Sequence, residues 1–164
     1  MFGKPTLAAL LLALCLVAGA ALPAFADTGL PLPRFVSLRS GEVNVRAGPG
    51  TRYPIAWMFV RSGLPLQVIA EFDVWRKIRD IDGAEGWVHQ SLLSGERTAV
   101  ITGAVRTLLS TPEPVGVPVV SAEPGVIAKL LECKGTWCRL QLGKLKGWLP
   151  RDEFWGTFPD ETIK

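Results

Sequence analysis

Glycines and tryptophans recur along this chain with an offset of 62 residues, and such an internal repeat restricts the fold more than any single motif. Gly63 aligns with Gly125 and Trp75 aligns with Trp137 without a gap. Identity between the two halves is otherwise low, so the evidence lies in the spacing, and a chance match is the alternative. The repeat predicts two very small units in tandem.

Each copy is predicted to consist of short strands separated by turn residues, because no stretch shows a convincing helical period. Five such strands in about 60 residues favour a small closed or nearly closed barrel, since closure removes exposed strand edges. The fold class is therefore all-β, with two tandem five-stranded barrels. The predicted strands of the first copy are 43–46, 55–60, 64–72, 74–79 and 86–89; those of the second copy are 117–120, 126–132, 136–142 and 146–149.

The N-terminus is typical of a cleaved signal peptide. Lys4 precedes an uncharged apolar run over residues 7–21, and Ala24-Phe25-Ala26 places small residues at the cleavage-determining positions. A retained anchor is the alternative, but the run is shorter than the roughly 18 to 20 residues that cross a bilayer. Lipid attachment at Cys15 is disfavoured by the bulky Leu14 before it. The predicted division is a signal peptide (1–26), a proline-rich leader (27–34) and two barrels (35–102 and 103–164).

The charge balance and hydropathy limit the classes of partner. The formal net charge of the whole sequence is +3, which is too small to indicate nucleic-acid binding. No other segment is long and apolar enough to span a membrane. We therefore expect a periplasmic or secreted product with no nucleic-acid partner and no membrane span after cleavage.

Residues 41–51 read GEVNVRAGPGT, and this stretch resembles the opening motif of bacterial Src-homology-3 (SH3b) domains. The segments VWRKI at 74–78 and GWV at 86–88 are similar to later strands of the same family. The resemblance implies a five-stranded barrel in each copy. It also implies a role in binding or targeting within the cell envelope, often to peptidoglycan. Because His89 stands where eukaryotic relatives have a proline, no polyproline-binding activity is carried over.

Catalytic and metal chemistry is not expected. His89 is the only histidine of the sequence, so no histidine cluster can bind a metal. A cysteine peptidase needs a thiolate beside a histidine, but Cys133 and Cys138 fall in the other copy. The sequence therefore predicts a non-enzymatic protein without a cofactor.

Cys133 and Cys138 flank a predicted hairpin turn. An even pair of cysteines at this spacing in an exported protein predicts a cross-strand disulfide. In the chain-entropy model a loop of this size contributes about 2 kcal/mol, which is useful to so small a barrel.

Aromatic and basic residues of the first copy form the candidate binding site. Trp75 opens a strand whose same face carries Lys77, and the resemblance places Trp75 where related barrels line their groove. Flat aromatic rings can stack on sugar or peptide, and arginines can pair with carboxylates. The alternative is that these aromatics fill the core, as is expected for Trp87 and Trp148. The predicted ligand-binding residues are Arg46, Tyr53, Trp57, Trp75, Lys77 and His89.

The sequence supports two functional hypotheses. The first is a cell-envelope module that recognises a peptidoglycan stem peptide or glycan through the first copy, with the second copy as spacer or support. The second is an adaptor that binds another envelope protein through a barrel edge or through the apolar end segment, residues 154–158. That segment exposes three aromatics unless it folds back, and exposed apolar patches commonly mark interfaces.

The export hypothesis predicts cleavage after Ala26. Intact-mass analysis of the secreted or periplasmic protein should find Asp27 as the first residue, because the Ala-x-Ala site ends there. A product that retains residues 7–21, or one lipidated at Cys15, would contradict this assignment.

Overall fold

The computed structural model describes residues 28–164, which form two antiparallel sheets with almost no helix. The all-β class predicted from the sequence is confirmed. The predicted signal peptide, its cleavage site and Cys15 lie outside the described residues, so the cleavage stays a prediction.

The first sheet contains seven strands in the spatial order β3-β2-β6-β5-β4-β1-β7. A short 3₁₀ helix, Gln90–Leu92, connects β6 to β7. All the pairings are antiparallel. The strands are β1 (Arg34–Leu38), β2 (Val43–Arg46), β3 (Ile55–Phe59), β4 (Pro65–Phe72), β5 (Trp75–Arg79), β6 (Glu85–His89) and β7 (Leu93–Ser94).

The second sheet repeats this topology in the order β10-β9-β13-β12-β11-β8-β14. A second 3₁₀ helix, Arg151–Glu153, occupies the same place between the last two strands. The two orders become identical when β8 is matched with β1, β9 with β2 and so on. The tandem repeat is therefore confirmed. The strands are β8 (Thr98–Ile101), β9 (Arg106–Leu109), β10 (Pro118–Ala122), β11 (Ile127–Lys134), β12 (Trp137–Leu142), β13 (Leu145–Pro150) and β14 (Phe154–Trp155).

Each unit has seven strands, whereas the predicted closed or nearly closed barrel has five. The strand series has seven members and ends at β3 and β7, which share no ladder within residues 28–164. The sequence analysis did not predict strand β1. Residues 35–38 are all buried, so this strand lacks the period-two alternation of apolar and polar residues that would reveal it. The strand β8 precedes the predicted boundary at residue 102, yet it belongs to the second sheet.

Alternation along the strands decides which side chains enter each core. On β6 the inward positions are Gly86 and Val88, so Trp87 lies half-buried on the outer face rather than in the core as expected. A Cβ at Gly86 would lie 2.3 Å from Val45 Cγ1, so the core leaves no room for a side chain there. Trp148, in contrast, is buried as expected.

The longest hairpin of each copy contains a cross-strand pair at the same repeat position. Cys133 faces Cys138 across the β11–β12 hairpin, and their Sγ atoms are 2.08 Å apart, the distance of the predicted disulfide. In the first copy Glu71 faces Arg76 across β4–β5. Both offsets equal 62 residues, so a buried ion pair stands in the first copy where the second copy has its disulfide.

The Glu71 carboxylate receives three polar partners although its side chain is only 5% exposed. Arg76 Nε lies 3.2 Å from Glu71 Oε1, and Arg34 Nη2 lies 2.5 Å from the same oxygen. The backbone N–H and the hydroxyl of Thr28 also donate to this carboxylate. Burial raises the pKa of Glu71, but the hydrogen bonds from Arg34 and Thr28 outweigh it, so the pKa is lowered overall.

The two copies are packed against each other. Thr98 Oγ1 donates to the Gly63 carbonyl at 2.7 Å, and Arg61 donates to the Gly125 carbonyl at 2.7 Å. Phe35, from β1 of the first copy, lies with its ring centroid 4.9 Å from that of Trp155. These contacts join the first copy to β8, to the turn at Gly125 and to the C-terminal part of the second copy.

The segment 154–158 folds back instead of forming an exposed aromatic patch. Phe154 is buried in the second core, and Phe158 packs on Phe35 with ring centroids 4.8 Å apart. Of the two arrangements considered for this segment, the folded-back one is therefore adopted, because Phe35 supplies an apolar partner from the other copy.

Glu71 and its partners Arg34, Arg76 and Thr28 should make the free energy of unfolding depend on pH. Because the folded-state pKa lies below the ordinary value of 4.5, the carboxylate stabilises the fold fully above that pH, and the contribution is lost as pH falls through the folded-state pKa. Glu71→Gln should cost about 3 kcal/mol near neutral pH, since it leaves Arg76 buried without its charge partner. Urea unfolding should show this difference shrinking as the pH falls below 4.5 and through the lowered pKa of Glu71.

The matched control is Glu113→Gln, at an exposed carboxylate. It should leave the free energy of unfolding nearly unchanged. Equal losses for Glu71→Gln at neutral and acid pH would contradict the ion-pair account.

Candidate functional site

A cavity of about 340 Å³ opens on the outer face of the first sheet. It brings together three of the six predicted site residues, Arg46, Trp75 and His89, from strands β2, β5 and β6. The lining residues are Glu42, Asn44, Arg46, Thr51, Trp75, His89 and Leu92.

Trp75 and His89 form the aromatic wall of this cavity. They are directly opposite each other in the β5–β6 ladder. Their neighbours Arg76 and Val88 point into the sheet interior and are buried, so alternation directs Trp75 and His89 outwards. The two ring centroids are 5.5 Å apart and the rings meet edge to face at 89°. The half-buried Trp75 thus presents an apolar ring to the cavity.

A contact with the adjoining turn fixes the orientation of the His89 ring. Its Nδ1 accepts a hydrogen bond from the Ser91 backbone N–H at 3.2 Å and lies 2.7 Å from the Ser91 hydroxyl. Accepting from an N–H requires a lone pair on Nδ1, so the neutral ring carries its proton on Nε2. In that state the ring can act as a hydrogen-bond donor through Nε2.

Arg46 positions the long loop that borders the cavity. Its Nη1 donates to the carbonyls of Thr51, at 3.1 Å, and Tyr53, at 2.8 Å. Tyr53 packs on the backbone of Gly48, where a Cβ would lie 2.5 Å from the ring. The aromatic ring of Tyr53 therefore shapes the loop from the side and is not part of the cavity lining.

The structure places Trp57 and Lys77 outside the cavity. Trp57 packs against the first core and over Gly86. Lys77 shares the outer face with Trp75, but its Nζ lies 2.7 Å from Glu85 Oε2. Hydrogen bonds from Lys77 and Arg79 lower the pKa of the Glu85 carboxyl, so the charge of Lys77 is already paired. Arg46 is therefore the cation of the site.

Sequence reasoning predicted Arg46 but missed Glu42 and Asn44, which complete the polar wall along and just before β2. Val43 and Val45 are buried, so Glu42, Asn44 and Arg46 succeed one another along the outer face. The period-two pattern of this strand was the available signal. The cavity therefore combines one carboxylate, one amide and one guanidinium beside the aromatic wall.

The corresponding face of the second copy has a different lining. There Trp137 lies opposite Pro150 in the ladder, where the first copy has His89. A cavity of about 470 Å³ nearby is lined by Thr136, Pro150, Arg151, Asp152, Thr157 and Pro159. The ladder thus places a proline beside Trp137 where the first copy places His89 beside Trp75.

The described part of the chain carries neither a metal-binding cluster nor a membrane-spanning helix. Within residues 28–164, no group of three or more His, Cys, Asp or Glu side chains is placed to hold a metal ion. No helix in this range has the length and hydropathy to cross a membrane.

Comparison with protein families gives two matches to one family. The family model for the bacterial SH3 domain matches residues 39–95 and 108–156. The first range falls on the first sheet and the second on the second sheet, as the sequence resemblance predicts. No curated protein matches the chain.

Solved structures with some similarity include NlpC2 and NlpC1 from Trichomonas vaginalis and an NlpC/P60 family protein from Bacillus cereus. Their identities are 10%, 12% and 12%, with TM-scores of 0.35, 0.36 and 0.34. The matches cover 76%, 81% and 75% of this chain, and 48%, 49% and 57% of those chains. The chain thus spans about half the length of the structures it matches.

Proposed function

This chain belongs to the bacterial SH3 domain family, and we propose that it is a non-catalytic cell-envelope module whose first copy recognises a component of peptidoglycan. Bacterial SH3 domains commonly bind the cell wall. The observation that carries the proposal is the convergence of Trp75, His89 and Arg46 in one cavity.

The chemistry of the cavity suits a stem peptide or a glycan. The ring of Trp75 can stack on a sugar or a peptide plane, and the Arg46 guanidinium can pair with a carboxylate. His89 can donate from Nε2, and Glu42 can accept from an ammonium or a hydroxyl group. A stem peptide carries several of these complementary groups within a short length.

Two observations support the absence of catalysis. Cys133 and Cys138 are paired with each other, so neither provides the free thiolate that a cysteine peptidase needs. His89 lies in the other copy and uses Nδ1 for Ser91. The activity proposed for the protein is therefore binding alone.

An envelope location is part of the proposal. The N-terminal segment has the charge and hydropathy of an export signal, and a disulfide persists in an oxidising compartment. The competing adaptor hypothesis uses either a barrel edge or an exposed segment 154–158. That segment packs on Phe35, so the peptidoglycan hypothesis has the stronger support.

The proposal predicts that Trp75→Ala weakens binding to purified peptidoglycan sacculi. The loss should be about 1 kcal/mol or more, roughly fivefold in affinity, as for a partly exposed aromatic anchor. Co-sedimentation of the mature protein over a range of sacculus concentrations measures it.

Trp137→Ala is the matched control, since Trp137 occupies the same repeat position in the second copy. It should leave the affinity unchanged, and circular dichroism should show that both variants are folded. Equal weakening by both variants, or no binding of the native protein to sacculi, would contradict the proposal.

A further inference from the structure

A row of residues extends the Trp75 cavity on both sides. The strand residues that line the cavity belong to β2, β5 and β6. Phe72 lies opposite Trp75 in the β4–β5 ladder, and Met58 lies opposite Asn44 in the β2–β3 ladder. Strands β4 and β3 flank the cavity strands in the sheet order. The row therefore continues one strand beyond the cavity on each side.

Alternation along the strands directs the ends of this row to the outer face. Glu71 and Arg76, the next pair along the β4–β5 ladder, have buried side chains. Their neighbours Phe72 and Trp75 therefore point outwards. On β3 the two residues that flank Met58 pack against the first core, so Met58 also points outwards.

The strand registers join these residues into one line across five strands. Arg46 is opposite Trp87 in the β2–β6 ladder. Two residues further along each strand, Asn44 comes opposite His89, and both residues line the cavity. Neighbouring strands lie about 4.8 Å apart, so the four steps from β4 to β3 span about 19 Å along the sheet. In order, the row is Phe72, Trp75, His89, Asn44 and Met58.

Both ends of the row expose apolar side chains. Met58 is 49% exposed and Phe72 is 37% exposed. Ile55, which lies opposite Arg46 on the same edge strand as Met58, is 50% exposed. Single exposed apolar residues are common on protein surfaces. These residues, however, are continuous with a cavity that has an aromatic wall, so a ligand longer than the cavity would cover them.

The matched row of the second copy ends in polar residues. The registers place Lys134 where the first copy has Phe72, and Ser121 where the first copy has Met58. The hydroxyl oxygen of Ser121 lies 3.1 Å from that of Thr107, within hydrogen-bond distance. The repeat thus folds with polar side chains at both positions, so packing alone does not account for the apolar ends of the first row.

The chemistry of the row changes from one end to the other. At the β4–β5 end, Phe72 and Trp75 offer flat apolar rings on which a sugar can stack. At the β2–β3 end, the Asn44 amide can both donate to and accept from a peptide group. The flexible side chain of Met58 adapts to alkyl groups of different shape. An extended tetrapeptide spans at most about 14 Å, which is less than the row.

We propose that the site binds a muropeptide as a whole, with its glycan over Phe72 and Trp75 and its stem peptide along His89 and Asn44 to Met58. The inference rests on the proposed peptidoglycan recognition and deepens it, because it names the linked disaccharide and peptide as the ligand. Phe72 and Met58 are then specificity-determining residues that lie outside the cavity.

Chemical-shift titration of the mature protein with two probes tests this inference. One probe is a disaccharide–tetrapeptide muropeptide, and the other is the same tetrapeptide without the sugars. The native protein should bind the muropeptide at least about fivefold more tightly. Phe72→Ala should remove most of this difference, because only the muropeptide reaches that end. Met58→Ala should weaken muropeptide binding about fivefold.

Lys134→Ala and Ser121→Ala, at the matched positions of the second copy, are the controls and should leave muropeptide affinity nearly unchanged. Equal affinity of the native protein for the two probes would overturn the inference, as would unchanged muropeptide affinity in Phe72→Ala or Met58→Ala. If Trp75→Ala weakens muropeptide binding while both end variants are neutral, only this inference fails. If Trp75→Ala has no effect, the proposed function itself fails.

Discussion

Each repeat must form a stable unit around a very small apolar core, and much of the structure is a consequence of that constraint. The buried clusters of the two described units contain nine and twelve residues. Units of this size bury only a modest share of their surface. Each copy therefore closes its longest hairpin with an added cross-strand link, Cys133–Cys138 in one and Glu71–Arg76 in the other. Segments from outside the barrel strands, the C-terminal tail at Ile163 and the leader at Thr28, cover the same end.

Strand alternation made the central part of the site predictable from the sequence. It placed Trp75 on an outer face, and the family resemblance predicted a groove beside this residue. In the structure, Arg46, Trp75 and His89 line one cavity. The same rule, applied to Gly86 and Val88, would have placed Trp87 outside the core. Tyr53 and Trp57 were not predictable, because their positions depend on close packing over Gly48 and Gly86. Lys77 was predicted to bind the ligand, but its charge is paired with Glu85 on the neighbouring strand β6. This partner is not evident from the local sequence.

The contact between the copies was the least predictable part of the fold. Phe35 reads as the start of a strand after a proline-rich leader, yet it holds Trp155 and Phe158 of the second copy. Arg97 lies over the Phe35 ring at 5.6 Å and also holds Glu161. These long-range pairs leave no local pattern in the sequence. Through these contacts the second copy packs against β1 of the first copy, and the first copy carries the aromatic and basic cavity.

The cavity of Trp75 is, on the proposed function, where a peptidoglycan fragment binds. Titration of the isotopically labelled mature protein with a soluble muropeptide, monitored by amide and indole chemical shifts, tests this claim most directly. We predict progressive changes at the Trp75 indole N–H and at the amides of Glu42, Asn44 and His89. Changes confined to residues 98–164, or none at saturating muropeptide, would contradict it.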